Sequence, residues 1–151
     1  MPFKVIDERQ AAKFAGSYQH VLIDTQARPT QEDLEALVDG CDWLILPATP
    51  DALSLDALMQ TVNNLKALGS DRFQVLLTVV PPKPSRDGEE ARQMITEAGL
   101  PIFEGRSRRL VAFQKAALAG VPVDAARDPK AKSAWQDYKR IGEELPLSGT
   151  P

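Results

Sequence analysis

An aspartate closes a short apolar run near the start of the chain, in the sequence His20-Val-Leu-Ile-Asp24-Thr-Gln-Ala27. Three consecutive apolar residues, Val21 to Ile23, predict a strand that is buried on both faces, as in parallel sheets. A carboxylate at the carboxyl edge of such a sheet is suited to holding a Mg²⁺-bound water beside phosphates. We therefore predict that Asp24 is a magnesium-binding and catalytic residue. The alternative role for Asp24 is to cap a loop or the next helix.

Two further strand ends carry prolines and polar side chains. After the strand at positions 43–46, the sequence Pro47-Ala-Thr-Pro-Asp51 predicts helix capping by Thr49 or Asp51, with Pro50 in the first turn. After the strand at 75–80, Pro81 and Pro82 follow. Side chains at this edge, Thr78 among them, are placed to contact a flat base such as adenine, with the prolines as a pocket wall. The alternative is that the prolines only end the strand, since neither can donate to a ladder.

Basic residues cluster between positions 104 and 115. This stretch carries four positive charges against one negative charge, Glu104. We predict a non-specific phosphate-binding footprint there, and the alternative is an ordinary solvated surface. The four basic residues are Arg106, Arg108, Arg109 and Lys115.

Length and composition limit the class of protein. The 151 residues are 43% hydrophobic, which predicts one folded domain over 1–145, followed by a frayed tail at 146–151. The net charge of −3 gives no overall attraction to nucleic acid or to an anionic membrane. A single cysteine and a single histidine make a structural zinc site improbable. Without a signal sequence or an 18-residue apolar run, a cytoplasmic location is expected.

Apolar runs alternate with stretches of helical spacing, which predicts an α/β fold with a mostly parallel sheet flanked by helices. Helices are expected around Leu34–Val38, from Leu55 to Gly69, between Asp87 as the cap of the start and Gly99 as the cap of the end, from Arg108 to Gly120, and around Ala131–Ile141. Weaker strands are expected at Phe3–Ile6 and Ile102–Phe103.

Several segments together resemble the ParA/MinD family of deviant-Walker partition ATPases. Val-Leu-Ile-Asp-Thr-Gln-Ala at 21–27 is similar to the family's Walker B motif, and 109–123 is similar to its Arg-rich helix ending in Gly-x-Pro-Val. The exit of the strand at 47–58 and the strand at 76–82 add to the likeness, which covers most of residues 17–145. Gln26 stands where the family commonly has proline.

The resemblance implies a cytoplasmic ATPase with a P-loop fold that uses ATP and Mg²⁺ and dimerises around the nucleotide. It implies non-specific DNA binding through Arg106, Arg108, Arg109 or Lys115, a ParB-like or cargo adaptor as partner, and no membrane. Asp24 would then serve Mg²⁺, and Thr78, Pro81 and Pro82 would lie near adenine. The cargo would be a plasmid, a chromosome or another large body.

One family motif is missing from the printed sequence. No Gly-x-Gly-Lys occurs in it, although backbone N–H groups of such a loop are what approach the phosphates. We therefore expect a truncated family member, without the first strand and P-loop, that is inactive alone and hydrolyses ATP only if that loop is supplied. The alternative is a nucleotide-independent module that binds DNA or a partner.

Overall fold

The computed structural model describes residues 3–147, which form an α/β arrangement with a small parallel sheet. Two short 3₁₀ turns, Ala15–Ser17 and Val123–Ala125, accompany the main elements. In chain order the main elements are α1 (Glu8–Phe14), α2 (Gln31–Gly40), β1 (Leu44–Ala48), α3 (Ala52–Ala67), β2 (Phe73–Leu77), α4 (Asp87–Glu97), α5 (Val111–Ala119) and α6 (Ala131–Glu143).

The sheet consists of β1 and β2, which run parallel with Leu44 opposite Phe73 and Ala48 opposite Leu77. Single parallel bridges extend its pairing: Val75 pairs with Ile102, and Val80 pairs with Arg108. Side chains of β2 alternate between buried and half-buried positions, because one face of the strand packs into the core. The core around this sheet draws on α2, α3 and α4, with Val62, Leu65 and Val75 fully buried.

A second apolar cluster joins α5, the turn at 123–125 and α6. Alanines dominate it, among them Ala112, Ala116 and Ala134, so the two helices approach closely. Phe113 packs against this cluster, and its ring contacts the ring of Tyr138 with centroids 5.0 Å apart. This cluster forms the carboxyl-terminal part of the core.

The structure confirms the two strands predicted at 43–46 and 75–80 and all five predicted helices, with shifted ends. Gly69, Gly99 and Gly120 follow α3, α4 and α5 in the left-handed conformation that ends helices. β2 stops at Leu77 rather than Val80, because Val79 has φ +53° and turns the backbone out of the ladder.

Other predictions about elements are wrong. Residues 21–23 and 3–6 form no strand, because a strand needs a neighbour to accept its backbone hydrogen bonds and the described residues offer these segments none. In place of the strand predicted at Ile102–Phe103, the structure has a single bridge between Ile102 and Val75. α5 begins at Val111 rather than Arg108, since Arg108 is held in the bridge to Val80.

Helix starts also differ in detail. Asp51 is the N-cap of α3 and accepts from the Ser54 N–H, as predicted, but Pro50 precedes the cap instead of lying in the first turn. Asp87 is the first residue of α4 rather than its cap. Of the predicted tail, residues 148–151 lie outside the described part of the chain. Within residues 3–147 no helix is long and apolar enough to cross a bilayer.

Candidate functional site

The carboxyl edge of the sheet is where the structure brings predicted site residues together. Thr78 directly follows β2, and its backbone N–H donates to the Ala48 carbonyl at 2.9 Å. Its hydroxyl lies 3.5 Å from the same oxygen. Pro81 is half-buried just beyond, and Pro82 is exposed. Thr78 thus ties together the ends of both strands at the edge where ligands bind in open α/β sheets.

The backbone at this edge is strained at Val79. A β-branched residue with positive φ is a genuine outlier, and such a conformation costs about 1–3 kcal/mol. The neighbouring residue holds it in place: the Val80 N–H donates to the Ser107 carbonyl at 3.1 Å, and the Val80 carbonyl accepts from Arg109 at 2.8 Å. Strain of this kind is concentrated at functional sites, so the strained backbone at Val79 makes this loop a candidate functional site.

The bridge between Val80 and Arg108 carries part of the basic cluster to the same edge. The Ser107 N–H donates to the Leu77 carbonyl at 3.0 Å, so the chain through 107–109 runs beside the end of β2. The sequence placed the base-binding and phosphate-binding candidates in separate regions. In the structure, Thr78 and Arg109 belong to one continuous hydrogen-bonded edge.

Two of the four predicted DNA-binding residues are engaged within the protein. The Arg108 guanidinium pairs with Asp137 at 2.8 Å, donates to it through Nε at 3.0 Å, and donates to the Ser133 carbonyl. Hydrogen bonding to Asp137 raises the pKa of Arg108 above its usual value. Lys115 pairs with Asp128 at 2.8 Å. Both side chains remain close to half-exposed, but their charges are compensated.

Arg106 and Arg109 are the remaining members of the predicted DNA-binding set. Both are exposed, and neither forms a salt bridge within residues 3–147. They flank Arg108, whose position is fixed by α6. The positive charge available at this edge therefore comes from these two side chains.

Asp24 lies in an irregular, exposed segment. Val21, Leu22 and Ile23 before it are 55%, 84% and 61% exposed. Asp24 itself has no hydrogen bond or ion pair to any residue between 3 and 147. Gln26 lies 3.4 Å from Asp33, which forms a capping box with Thr30 at the start of α2. The described residues do not join Asp24 to Thr78 through a common strand.

No group of three or more His, Cys, Asp or Glu side chains suited to a metal ion occurs in the described range 3–147. Three aspartates are nevertheless stabilised as carboxylates. A hydrogen bond from the Thr30 backbone lowers the pKa of Asp33, one from the Thr49 hydroxyl lowers that of Asp51, and one from Lys115 lowers that of Asp128. These carboxylates cap helices or loops, so their role is structural.

Sequence reasoning missed two carboxylates that hold the edge in place. Asp137 lies on the buried stripe of α6 with Ala134 and Ile141, and it accepts from both the backbone and the side chain of Arg108. Glu144 accepts from the backbone N–H groups of Glu104 and Gly105 at 2.8 and 2.6 Å. An acid on an otherwise apolar helical stripe was the signal available for Asp137.

Comparison with known proteins adds an independent finding. No family model matches the chain. The chain is 34% identical over 136 residues to a protein from Gloeobacter kilaueensis named Maintenance of carboxysome distribution protein A. The match covers 90% of this chain and 63% of that protein, so the chain spans somewhat less than two thirds of the length of this relative. The chain is therefore similar, over 90% of its length, to a protein named for carboxysome distribution.

Proposed function

We propose that this chain is part of a ParA/MinD-type ATPase that positions a large intracellular body such as the carboxysome. The observation that carries the proposal is the 34% identity over 136 residues to a protein whose name states carboxysome distribution. The order of the Walker B-like segment, the strand at 73–77 and the Arg-rich segment before α5 agrees with it. We propose further that the whole protein acts in the cytoplasm as a homodimer.

Within this proposal, ATP and Mg²⁺ bind at the carboxyl edge of the sheet. The strained loop after Thr78, with Pro81 and Pro82, offers the contacts to adenine. Asp24 takes the magnesium-bound water once Val21–Ile23 is paired as a strand. The exposure of those three apolar residues supports the pairing, since an apolar run gains most of its stability from burial. The phosphate loop is supplied by sequence other than residues 1–151.

DNA binding in this proposal depends on Arg106 and Arg109, because their charges are not compensated by an ion pair in the described residues. Non-specific DNA binding of this kind lets a positioning protein distribute along the DNA. The second partner is an adaptor on the cargo, of the ParB class. Neither role needs a membrane.

Removal of the gene from its own host tests the proposal. We expect carboxysomes, or equivalent large bodies, to lose their even spacing and to cluster, as seen by fluorescence or electron microscopy. Reintroduction of the gene should restore the spacing. Unchanged spacing in the deleted strain, with the protein absent by immunoblot, would refute the positioning function.

A further inference from the structure

The segment that follows β2 contains one residue more than a regular ladder needs. The Ser107 N–H donates to the Leu77 carbonyl at 3.0 Å, and the Ser107 carbonyl accepts from the Val80 N–H at 3.1 Å. In a regular parallel ladder, the donor to the Ser107 carbonyl would lie two residues after Leu77, at Val79. The extra residue forms a β-bulge, in which Val79 has φ +53°, a conformation that glycine usually supplies.

The bulge changes which side chain of the segment is buried. Along β2 every second side chain is buried, from Phe73 to Leu77. A regular continuation of this alternation would bury Val79 and expose Val80. In the structure Val80 is 4% exposed and Val79 is 49% exposed. Val80 instead packs against the first turn of α4, where a Cβ on Gly88 would lie 2.5 Å from its Cγ1.

Val79 and Val80 have opposite effects on the stability of this loop conformation. The burial of Val80 and its backbone hydrogen bonds with Ser107 and Arg109 favour the observed conformation. The positive φ of Val79 and the exposure of its apolar side chain disfavour it, because an extended Val79 would carry no strain. Burying one valine and straining another involve free energies of similar size, so a small change can shift the balance.

The structures on both sides of the loop are fixed. The Thr78 N–H donates to the Ala48 carbonyl at the end of β1. On the other side, Arg108 is held to α6 by Asp137, which accepts from both the backbone and the guanidinium of Arg108. Val80 attaches the loop at 79–86 to this fixed segment. Release of Val80 would therefore free the loop while its two supports stay in place.

We propose that the loop at 79–86 is a lid on the carboxyl edge of the sheet, with Val79 as its strained hinge. When Val80 separates from Ser107 and Arg109, Val79 returns to an extended conformation and the loop moves away from the edge. Ligands bind at this edge in open α/β sheets, so the lid controls access to it. The proposal concerns the chain without a ligand and does not depend on the proposed nucleotide binding.

Amide hydrogen exchange of the full chain, followed by NMR, tests the proposal. Opening of the lid frees the amides of Val80 and Arg109 but not the amide of Val75, which donates to the Pro101 carbonyl at the middle of β2. We expect protection factors for Val80 and Arg109 that are at least about tenfold lower than the protection factor of Val75.

Two substitutions at the hinge separate strain from other effects. Val79→Asn should raise the protection of the Val80 and Arg109 amides about tenfold, because asparagine tolerates positive φ far better than valine. Val79→Ile keeps the branched Cβ and therefore the strain. It should change the protection of both amides by less than about twofold.

Asp128→Asn is the control for global stability. It removes the ion pair with Lys115, which lies outside the lid and stays intact when the lid opens. The variant should lower the protection of Val75, which exchanges through global unfolding. It should leave the protection of Val80 and Arg109 unchanged, because these amides exchange through the local opening.

Two results would overturn the proposal. One is protection of Val80 and Arg109 that equals that of Val75 and falls with it in Asp128→Asn, because these amides would then be freed only by global unfolding. The other is equal protection of Val80 in Val79→Asn and Val79→Ile, because strain at Val79 would then have no influence on the lid.

Discussion

Arg108 and Asp137 lie 29 positions apart in the chain and form a bidentate ion pair that fixes the segment before α5 onto α6. Asp137 also accepts from the Arg108 backbone N–H at 3.0 Å. Asp137 is 8% exposed, and the Arg108 guanidinium donates in addition to the Ser133 carbonyl. This pair positions the neighbours of Arg108 at the carboxyl edge of the sheet.

Arg108→Ala should destabilise the fold by about 1–3 kcal/mol, because it leaves the largely buried Asp137 carboxylate without its charged partner. Arg109→Ala, which removes a side chain without an ion pair among residues 3–147, should change the free energy of unfolding by less than about 0.5 kcal/mol. Urea unfolding measures both. Equal unfolding free energies for the two variants would refute the structural role of Arg108.

Gly88 lies in the first turn of α4 against Val80. A Cβ at this position would come within 2.5 Å of Val80 Cγ1, and Val80 is itself 4% exposed. Gly88→Ala should therefore cost about 1–3 kcal/mol through overpacking. Gly142 is a matched control on α6, because a Cβ there meets no atom within 4 Å. Gly142→Ala should instead stabilise by roughly 0.5–1 kcal/mol.

These changes are compared by thermal unfolding of the two glycine variants and the wild type. The prediction requires opposite shifts of Tm for Gly88→Ala and Gly142→Ala. If both substitutions raise Tm, the close approach of α4 to Val80 is wrong.

Acid should destabilise the protein through Asp33, Asp51 and Asp128, whose pKa values are lowered from 3.8 in the folded state. A lowered folded-state pKa contributes stability that is fully present above the unfolded value and is lost as the pH falls through the folded value. The loss should therefore begin near pH 4 and continue below it. The midpoints of urea unfolding, measured between about pH 6 and pH 2.5, report this loss of stability.

The variant Asp128→Asn isolates the contribution of Asp128 to the pH dependence of stability. The lowered pKa of Asp128 comes first from the hydrogen bond of Lys115 and then from the Lys130 backbone N–H. The variant should have a lower free energy of unfolding than wild type near neutral pH, and this difference should become smaller below about pH 3.5. A difference that stays constant across this range would contradict a contribution of the Asp128 carboxylate to the pH dependence of stability.

Charge reversal at Arg106 and Arg109 tests the proposed DNA surface. Arg106→Glu/Arg109→Glu should weaken binding to a random-sequence duplex at low salt and should reduce the slope of log K against log salt by about 2, one for each lost phosphate contact. Arg9→Glu/Lys13→Glu in α1 makes the same change in net charge and serves as the control. Fluorescence anisotropy at several salt concentrations measures the slopes. Identical slopes for the two variants would reject these contacts.

The helices were predictable from the sequence because the apolar residues that each helix buries recur at helical spacing. Leu58, Val62 and Leu65 repeat at helical spacing, and all three are buried. Capping by Asp51 is equally local, since donor and acceptor lie three residues apart. Such features depend on residues that are close in the chain, so they can be predicted without knowledge of the rest of the fold.

Strands and site geometry depend on distant partners and were predicted less well. The run Val21–Ile23 has the composition of a buried strand, yet a strand forms only where a neighbour completes its hydrogen bonds. The pairing of Val80 with Arg108 and the ion pair with Asp137 span 28 and 29 positions, and no local pattern encodes them. The joining of Thr78 to the basic segment was therefore visible only in three dimensions.

In the proposed function, Asp24 holds the magnesium-bound water beside the nucleotide. The most direct measurement replaces the host gene with Asp24→Asn and images the spacing of carboxysomes or equivalent bodies, with Asp71→Asn, another exposed aspartate, as the control. With both variants at wild-type abundance, we predict clustered bodies for Asp24→Asn and normal spacing for Asp71→Asn. Normal spacing in the Asp24→Asn strain would contradict the account.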